Sequence, residues 1–116
     1  MSSSITYYSS NIVLWQMPEV LSKEVSIYAL DIIYEMLQDG TGNKSLLIDA
    51  SKLYKLRMDA RKVGIEWAKK APFKKAALYG SNYFIRNLLN LSILASGKMD
   101  TIKTFANQNE AIEWLK

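Results

Sequence analysis

The stretch LLIDASKLYKLRMDARKVG, residues 46–64, sets two carboxylates and a hydroxyl (Asp49, Asp59 and Ser51) among Lys52, Lys55, Arg57, Arg61 and Lys62. A phosphoacceptor or a general base can sit in such surroundings. A strand-to-loop turn followed by a helix cap looks the same, because Asp and Ser side chains bond nearby backbone N–H groups in both. The order of residues favours turn and cap. Ser51 follows a short apolar run instead of opening a helix, and Asp59 stands where a helical pattern begins.

The chain has no histidine and no cysteine. Ser-His-Asp chemistry, thiol nucleophiles, thiolate zinc and iron–sulfur sites therefore fall away. The remaining acids, among them Asp31, Glu35, Asp39, Glu66 and Asp100, show no oxygen-ligand spacing of the calcium-loop kind. The sequence reads as a non-enzyme with no catalytic, metal-binding or cofactor-binding residue and no cofactor.

Two features suggest binding instead. Residues 52–75 carry nine Lys or Arg against two acids, net +7 of a chain total of +4. Such a block is a solvated face, a docking site for an acidic partner, or a phosphate-binding surface whose grip falls with salt. No nucleic-acid recognition motif accompanies it, so nucleic-acid binding is the weakest of these. The second feature is GSNYFIRNLLNLSIL. Gly80 and Ser81 precede a helix whose N–H groups can face an anion. Tyr83, Phe84, Leu88, Leu91 and Leu94 run along one side of that helix, with Ile85, Leu89 and Ile93 on another. One apolar side packs on a sheet; the other needs cover from neighbouring helices, a second subunit or an apolar ligand.

The elements that carry these residues follow from periodicity. SITYYSSNIVLWQM reads as a hairpin with Ile5, Tyr7, Val13 and Trp15 packing inward. Pro18 and Glu19 close it, and Ser22 caps a helix with Val25, Tyr28, Ala29, Ile32, Ile33, Met36 and Leu37 on its apolar stripe, ended by DGTG. KSLLIDAS suits a central strand buried on both faces. Asp59 caps a second helix with Ala60, Val63, Gly64, Trp67, Ala68 and Ala71 inward and Pro72 just past its end. KKAALYG is a strand, the apolar helix follows, and DTIKTFA is a last strand contributing Ile102 and Phe105. Asn107 and Glu110 then have capping-box spacing ahead of Ala111, Trp114 and Leu115. The expected fold is α/β, ordered β-β-α-β-α-β-α-β-α, a mixed, mostly parallel five-stranded sheet with helices mainly on one face, in one domain over residues 1–116.

Three stretches, LLIDASKL, KKAALYGSNYFIRNLLNLSIL and IKTFANQNEAIEWL, together resemble the STAS-like family (sulphate transporter and anti-sigma-factor antagonist), in particular its small stand-alone bacterial members. The likeness is detailed over residues 44–116 and rests on element order before that. It implies anti-sigma-factor-antagonist-like topology. In the family's regulatory branch, a partner kinase phosphorylates a serine of an Asp-Ser-Ser-Gly-like turn at the start of the second helix. Here Asp59 matches the aspartate, while Ala60 and Arg61 stand where the serines would be. The usual serine switch is absent from the sequence.

The resulting expectation is a protein-binding or regulatory module, with a protein partner or a second copy of itself as a homodimer. The alternative, drawn from the topology shared with Sec14-type modules, is an apolar or anionic lipid-like ligand held beside helix 81–95. Lys55, Arg57, Asp59, Arg61, Lys62, Ser81, Tyr83, Phe84 and Leu88 form the assigned ligand or partner surface. MSSSITYYSS lacks the pattern of a secretory signal and no apolar run reaches about 18 residues, so a cytoplasmic location without a membrane span is expected.

Overall fold

The computed structural model describes residues 4–40 and 42–116. The N-terminal hairpin pairs β1 (Ser4–Ser9) with β2 (Ile12–Gln16) antiparallel, with an irregular register between Tyr7 and Ser9. Val13 and Trp15 point into the core as strand alternation requires, and Ile5 lies half-buried against it. Tyr7 departs from expectation. It stays exposed on the edge strand, and its hydroxyl donates to Met36 O (3.2 Å) and Asp39 Oδ2 (3.5 Å) at the end of the first helix.

That helix, α1 (Lys23–Gln38), begins where Ser22 Oγ accepts from Val25 N. Its buried face is Ser26, Ala29, Leu30, Ile33 and Leu37. The inward stripe is therefore rotated from the expected one: Tyr28 faces solvent, and Ser26 and Leu30 take the core positions. Two further strands are too short to show a period in the sequence. Val20–Leu21 (β3) and Lys55–Leu56 (β5) are two residues each and pair in parallel as a separate small sheet.

β4 (Ser45–Asp49), β6 (Ala76–Tyr79) and β7 (Ile102–Phe105) complete the main sheet in the order β1-β2-β4-β6-β7, parallel except for the hairpin pair. The crossover helices are α1, α2 (Met58–Lys70) and α3 (Tyr83–Ser96). Each step moves the chain one strand in the same direction, so right-handed crossovers place all three helices on one face. There Ile33, Ala68 and Ile85 meet Val13, Leu46, Ile48, Leu78 and Ile102. The C-terminal α4 (Gln108–Leu115) folds back over the other face, where Ala111 and Leu115 cover Leu47, Ala77 and Tyr79. β4 is buried on both faces, as its unbroken apolar run requires.

Asp59 is not the cap of α2. The β3–β5 ladder carries the extended chain to Arg57, whose N–H donates to Leu21 O (3.2 Å), so the helix starts two residues before the expected position. Asp59 lies instead in the first turn, 3.9 Å from Arg57, where a carboxylate still favours the helix N-terminus. Asn82 and Asn107 do cap α3 and α4, accepting from Ile85 N (2.8 Å) and Glu110 N (3.0 Å).

Two glycines give opposite expectations. Gly80 has φ +84°, and a Cβ there would lie 3.1 Å from the Ser51 Cβ, whereas a Cβ on Gly64 within α2 meets nothing within 4 Å. Gly80→Ala should lower stability by about 1–3 kcal/mol. Gly64→Ala should raise it by about 0.5–1 kcal/mol. Urea denaturation of the two variants reads both signs; equal effects would contradict the assigned backbone conformations.

Candidate functional site

The carboxyl ends of β4 and β6 and the amino ends of α2 and α3 share one end of the molecule, and most of the sequence-assigned residues lie there. Asp49 Oδ1 accepts from Ser51 N (2.9 Å), the backbone turn expected of an Asp-x-Ser sequence. The loop that follows is anchored: Tyr54 N and Lys55 N both donate to Glu19 O (2.9 and 3.2 Å), and Leu53 is buried. It holds Lys52, Tyr54, Lys55 and Met58 outward on a fixed frame.

On the α4 side of this end, Tyr79 stands beside Asp49 in register, and its hydroxyl accepts from Gln108 Nε2 (2.9 Å). Burial raises the Tyr79 pKa above its ordinary 10.0. The Asp49 carboxylate raises it further by its charge and by a hydrogen bond, and the Gln108 bond opposes the rise. Tyr79 thus keeps its proton across the neutral range and acts as a neutral donor and acceptor tying β4, β6 and α4 together. No local pattern marks this trio, because its members are 30 and 29 residues apart along the chain and only parallel pairing with a returning helix unites them.

The basic block does not form one patch. Lys55, Arg57, Arg61 and Lys62 lie at the start of α2, and Lys69 and Lys70 lie at its other end, across about 20 Å of helix. Lys69 pairs with Glu66 at 3.1 Å. Lys75 belongs to the opposite face of the sheet: its ammonium donates to Trp114 O (2.9 Å) and sits 4.9 Å from the Trp114 ring centroid. Arg61 is also engaged, its Nε donating to Ser92 Oγ (3.1 Å) across the α2–α3 seam. Lys62 borders a shallow groove with Lys23, Asp59, Glu66 and Lys70, in which both signs of charge alternate.

Along α3 the two apolar sides separate cleanly. Ile85 and Leu89 are buried, whereas Tyr83 is 82%, Phe84 67%, Leu91 55% and Leu94 58% exposed. Leu88 leaves the exposed stripe and packs half-buried on the core, because its angular position lies between the two sides; Asn87 takes its place outside. Ser81 is half-buried, and one of the N–H groups at the α3 N-terminus is already bonded to Asn82. Among the described residues no cluster of three or more acidic residues is placed to hold a metal ion, and no helix is long and apolar enough to cross a membrane.

A family model described as SpoIIAA-like matches residues 16–116. No curated protein matches the sequence. Solved structures match over nearly the whole chain. An uncharacterised DUF3478-family protein from Shewanella loihica with a SpoIIAA-like fold superposes with a TM-score of 0.70 at 17% identity, covering 99% of this chain and 93% of that one. RsbS from Moorella thermoacetica gives 0.71 at 18% identity, with 99% and 95% covered. The anti-sigma factor antagonist SpoIIAA in its unphosphorylated form gives 0.65 at 13% identity, with 97% and 95% covered. These likenesses establish the shared fold.

The Tyr79 environment sets a pH dependence. The unfolded chain releases this proton near 10.0 and the folded chain releases it later, so the associated stability is fully present below pH 10 and is lost as pH rises through the raised value. In ultraviolet titration Tyr79→Phe should remove one late-ionising tyrosine, leaving Tyr7 as the other one, raised by desolvation and then by Asp39. An unchanged alkaline limb in the variant would show that Tyr79 ionises normally.

Proposed function

The chain belongs to the SpoIIAA-like family, and on that premise we propose that it is a regulatory module that works by protein contact, without catalysis and without the serine phosphoswitch. The observation that carries this reading is the outer face of α3. Tyr83, Phe84, Leu91 and Leu94 lie on one stripe with Asn87 beside them, and the single charge in the helix, Arg86, is drawn aside to Thr104 through Nε (3.2 Å) and a guanidinium nitrogen to the carbonyl (3.3 Å). Isolated exposed apolar residues are ordinary on protein surfaces. A continuous stripe of them, free of charge, has the composition of an interface centre, where charged residues are depleted and aromatic ones enriched.

The missing switch is supported by geometry as well as by residue type. Ala60, at the first matching position, is 1% exposed and faces the core, so a side chain there points away from any kinase. Arg61, at the next, is bonded to Ser92. A relative of the same fold is an anti-sigma factor antagonist; this chain's partner is proposed to be a protein that presents an apolar surface to α3, with the exposed positive residues before and within α2 at its rim.

Site-specific photo-crosslinking in cells tests the reading. A photoreactive phenylalanine analogue at position 84 or 91 should give one discrete protein adduct, and the same analogue at Glu113 on α4 should not. An adduct of twice the 13.2 kDa chain mass would assign the stripe to self-association. Phe84→Ser and Leu91→Ser should change stability by no more than about 0.5 kcal/mol, since both residues are exposed, while abolishing the adduct formed from the other position. Absence of any adduct at 84 and 91, or equal labelling from 113, would defeat the proposal.

A further inference from the structure

The three-helix face of the sheet is not filled. A cavity of about 110 Å³ lies between the sheet and α1, α2 and α3. Its origin is readable in α2, which presents Ala60, Gly64 and Ala68 at successive turns towards Leu30 of α1 and Leu89 of α3. Side-chain volume is missing where a close-packed core would have it, and the open space beside Gly64 is part of the same deficit.

One polar atom is out of place in this lining. Ser26 is 1% exposed, borders the cavity, and its Oγ has no hydrogen-bond partner among the described residues. Helical serines ordinarily return their hydroxyl to the carbonyl one turn back. The other two serines of the lining do so: Ser92 Oγ donates to Leu88 O (3.0 Å) and Ser96 Oγ donates to Ile93 O (2.6 Å). Ser26 is the exception, and a buried hydroxyl without a partner is unfavourable. A lone water is a poor remedy, because a buried water needs two to four polar partners and the wall near Ser26 is apolar.

Where α2 meets α3, the lining is half-buried through Arg61, Gly64, Ile65, Ser92 and Ile93. The Arg61–Ser92 hydrogen bond spans this seam, and Arg61 is the one charged residue among the described lining. The cavity lining is thus partly open to solvent along this seam, where a single side-chain bond joins the two helices.

We propose that this cavity binds a small, neutral, mostly apolar molecule about the size of a benzene ring that carries one hydroxyl or carbonyl group, held by Ser26 Oγ and admitted between α2 and α3 past Arg61. The size follows from comparison with dry cavities of roughly 150 Å³, which hold benzene or xenon. The polar group follows from Ser26, whose hydroxyl both donates and accepts. The apolar lining excludes a charged headgroup from the interior. The proposal stands apart from protein docking on the outer face of α3 and does not depend on it.

Benzene and phenol are the probes, titrated into the full chain with methyl NMR shifts of Leu30, Leu89 and Ile93 as the readout. Both should bind saturably, phenol about tenfold more tightly, as expected for one net hydrogen bond. Ser26→Ala should bring phenol to the level of benzene and leave benzene unchanged. Gly64→Leu, whose side chain enters the empty space, should abolish binding of both. No saturable shift with either probe in the wild type, or a phenol preference that survives Ser26→Ala, overturns the proposal. Neither of those results depends on the Gly64 variant folding.

Discussion

Every βα crossover in this chain carries it one strand farther in the same direction, and a right-handed crossover then leaves no choice of face. Three helices must share one side of the sheet. The other side would be left bare, and α4 exists to cover it: Asn107 starts a helix immediately after β7, and Ala111 and Leu115 close over Leu47 and Ala77. The same constraint removes the crevice that doubly wound sheets offer to nucleotides, since that crevice forms where the strand order reverses. The proposed binding features lie instead on the outer face of α3 and in the space beneath α2.

Three helices share one face, and the middle one, α2, turns only small residues, Ala60, Gly64 and Ala68, to the space beneath it. Trp67 fastens it, with Nε1 donating to Leu30 O of α1 (3.1 Å) and its ring stacked on Phe73 at 5.9 Å. Helix ends are finished by long side chains. The Met36 carbonyl of α1 is met by the Tyr7 hydroxyl and the carbonyl of Asp39, its C-cap, by the buried Lys44 ammonium, and Trp114 O of α4 is met by Lys75. Positive charge at a helix C-terminus is doubly favoured, by hydrogen bonding and by the dipole. Two lysines that look like surface charge in the sequence are thus structural.

The parts of the fold readable in the sequence were those fixed by local pattern. The apolar run at 45–49, the alternation around Val13 and Trp15, the Ser22 and Asn107 caps and the stop before Pro72 each follow from a few neighbouring residues. What escaped depends on distant pairing. β3 and β5 are too short to show a period, and they pushed the start of α2 back to Met58, which removed Asp59 from the capping position. Tyr7, Tyr28 and Leu88 lie on other sides than expected, because edge-strand or helical phase, and not aromatic or apolar character, decides which way they face. Ser26 could have been found: it sits one turn before Leu30 and two before Ile33 on the true stripe, so a polar residue at a core position was visible once the phase was right.

In the protein-contact reading, charge and apolar area sit on different helices and act over different distances. Lys52, Lys55 and Lys62 project from the loop before α2 and its first turns, where they attract an acidic surface over about 8–10 Å of salt solution. The α3 stripe carries no charge to desolvate and is engaged only on contact. Such a division suits fast, salt-sensitive encounter followed by apolar docking, because rim charges act mainly on the association rate and buried apolar anchors on the lifetime. It also accounts for the position of Arg86. Turned to Thr104, whose hydroxyl donates in turn to Asn90 Oδ1 (2.9 Å), its guanidinium is held against β7 instead of interrupting the stripe. The hydrogen bonds that anchor α3 to the sheet thereby also keep its outer face apolar.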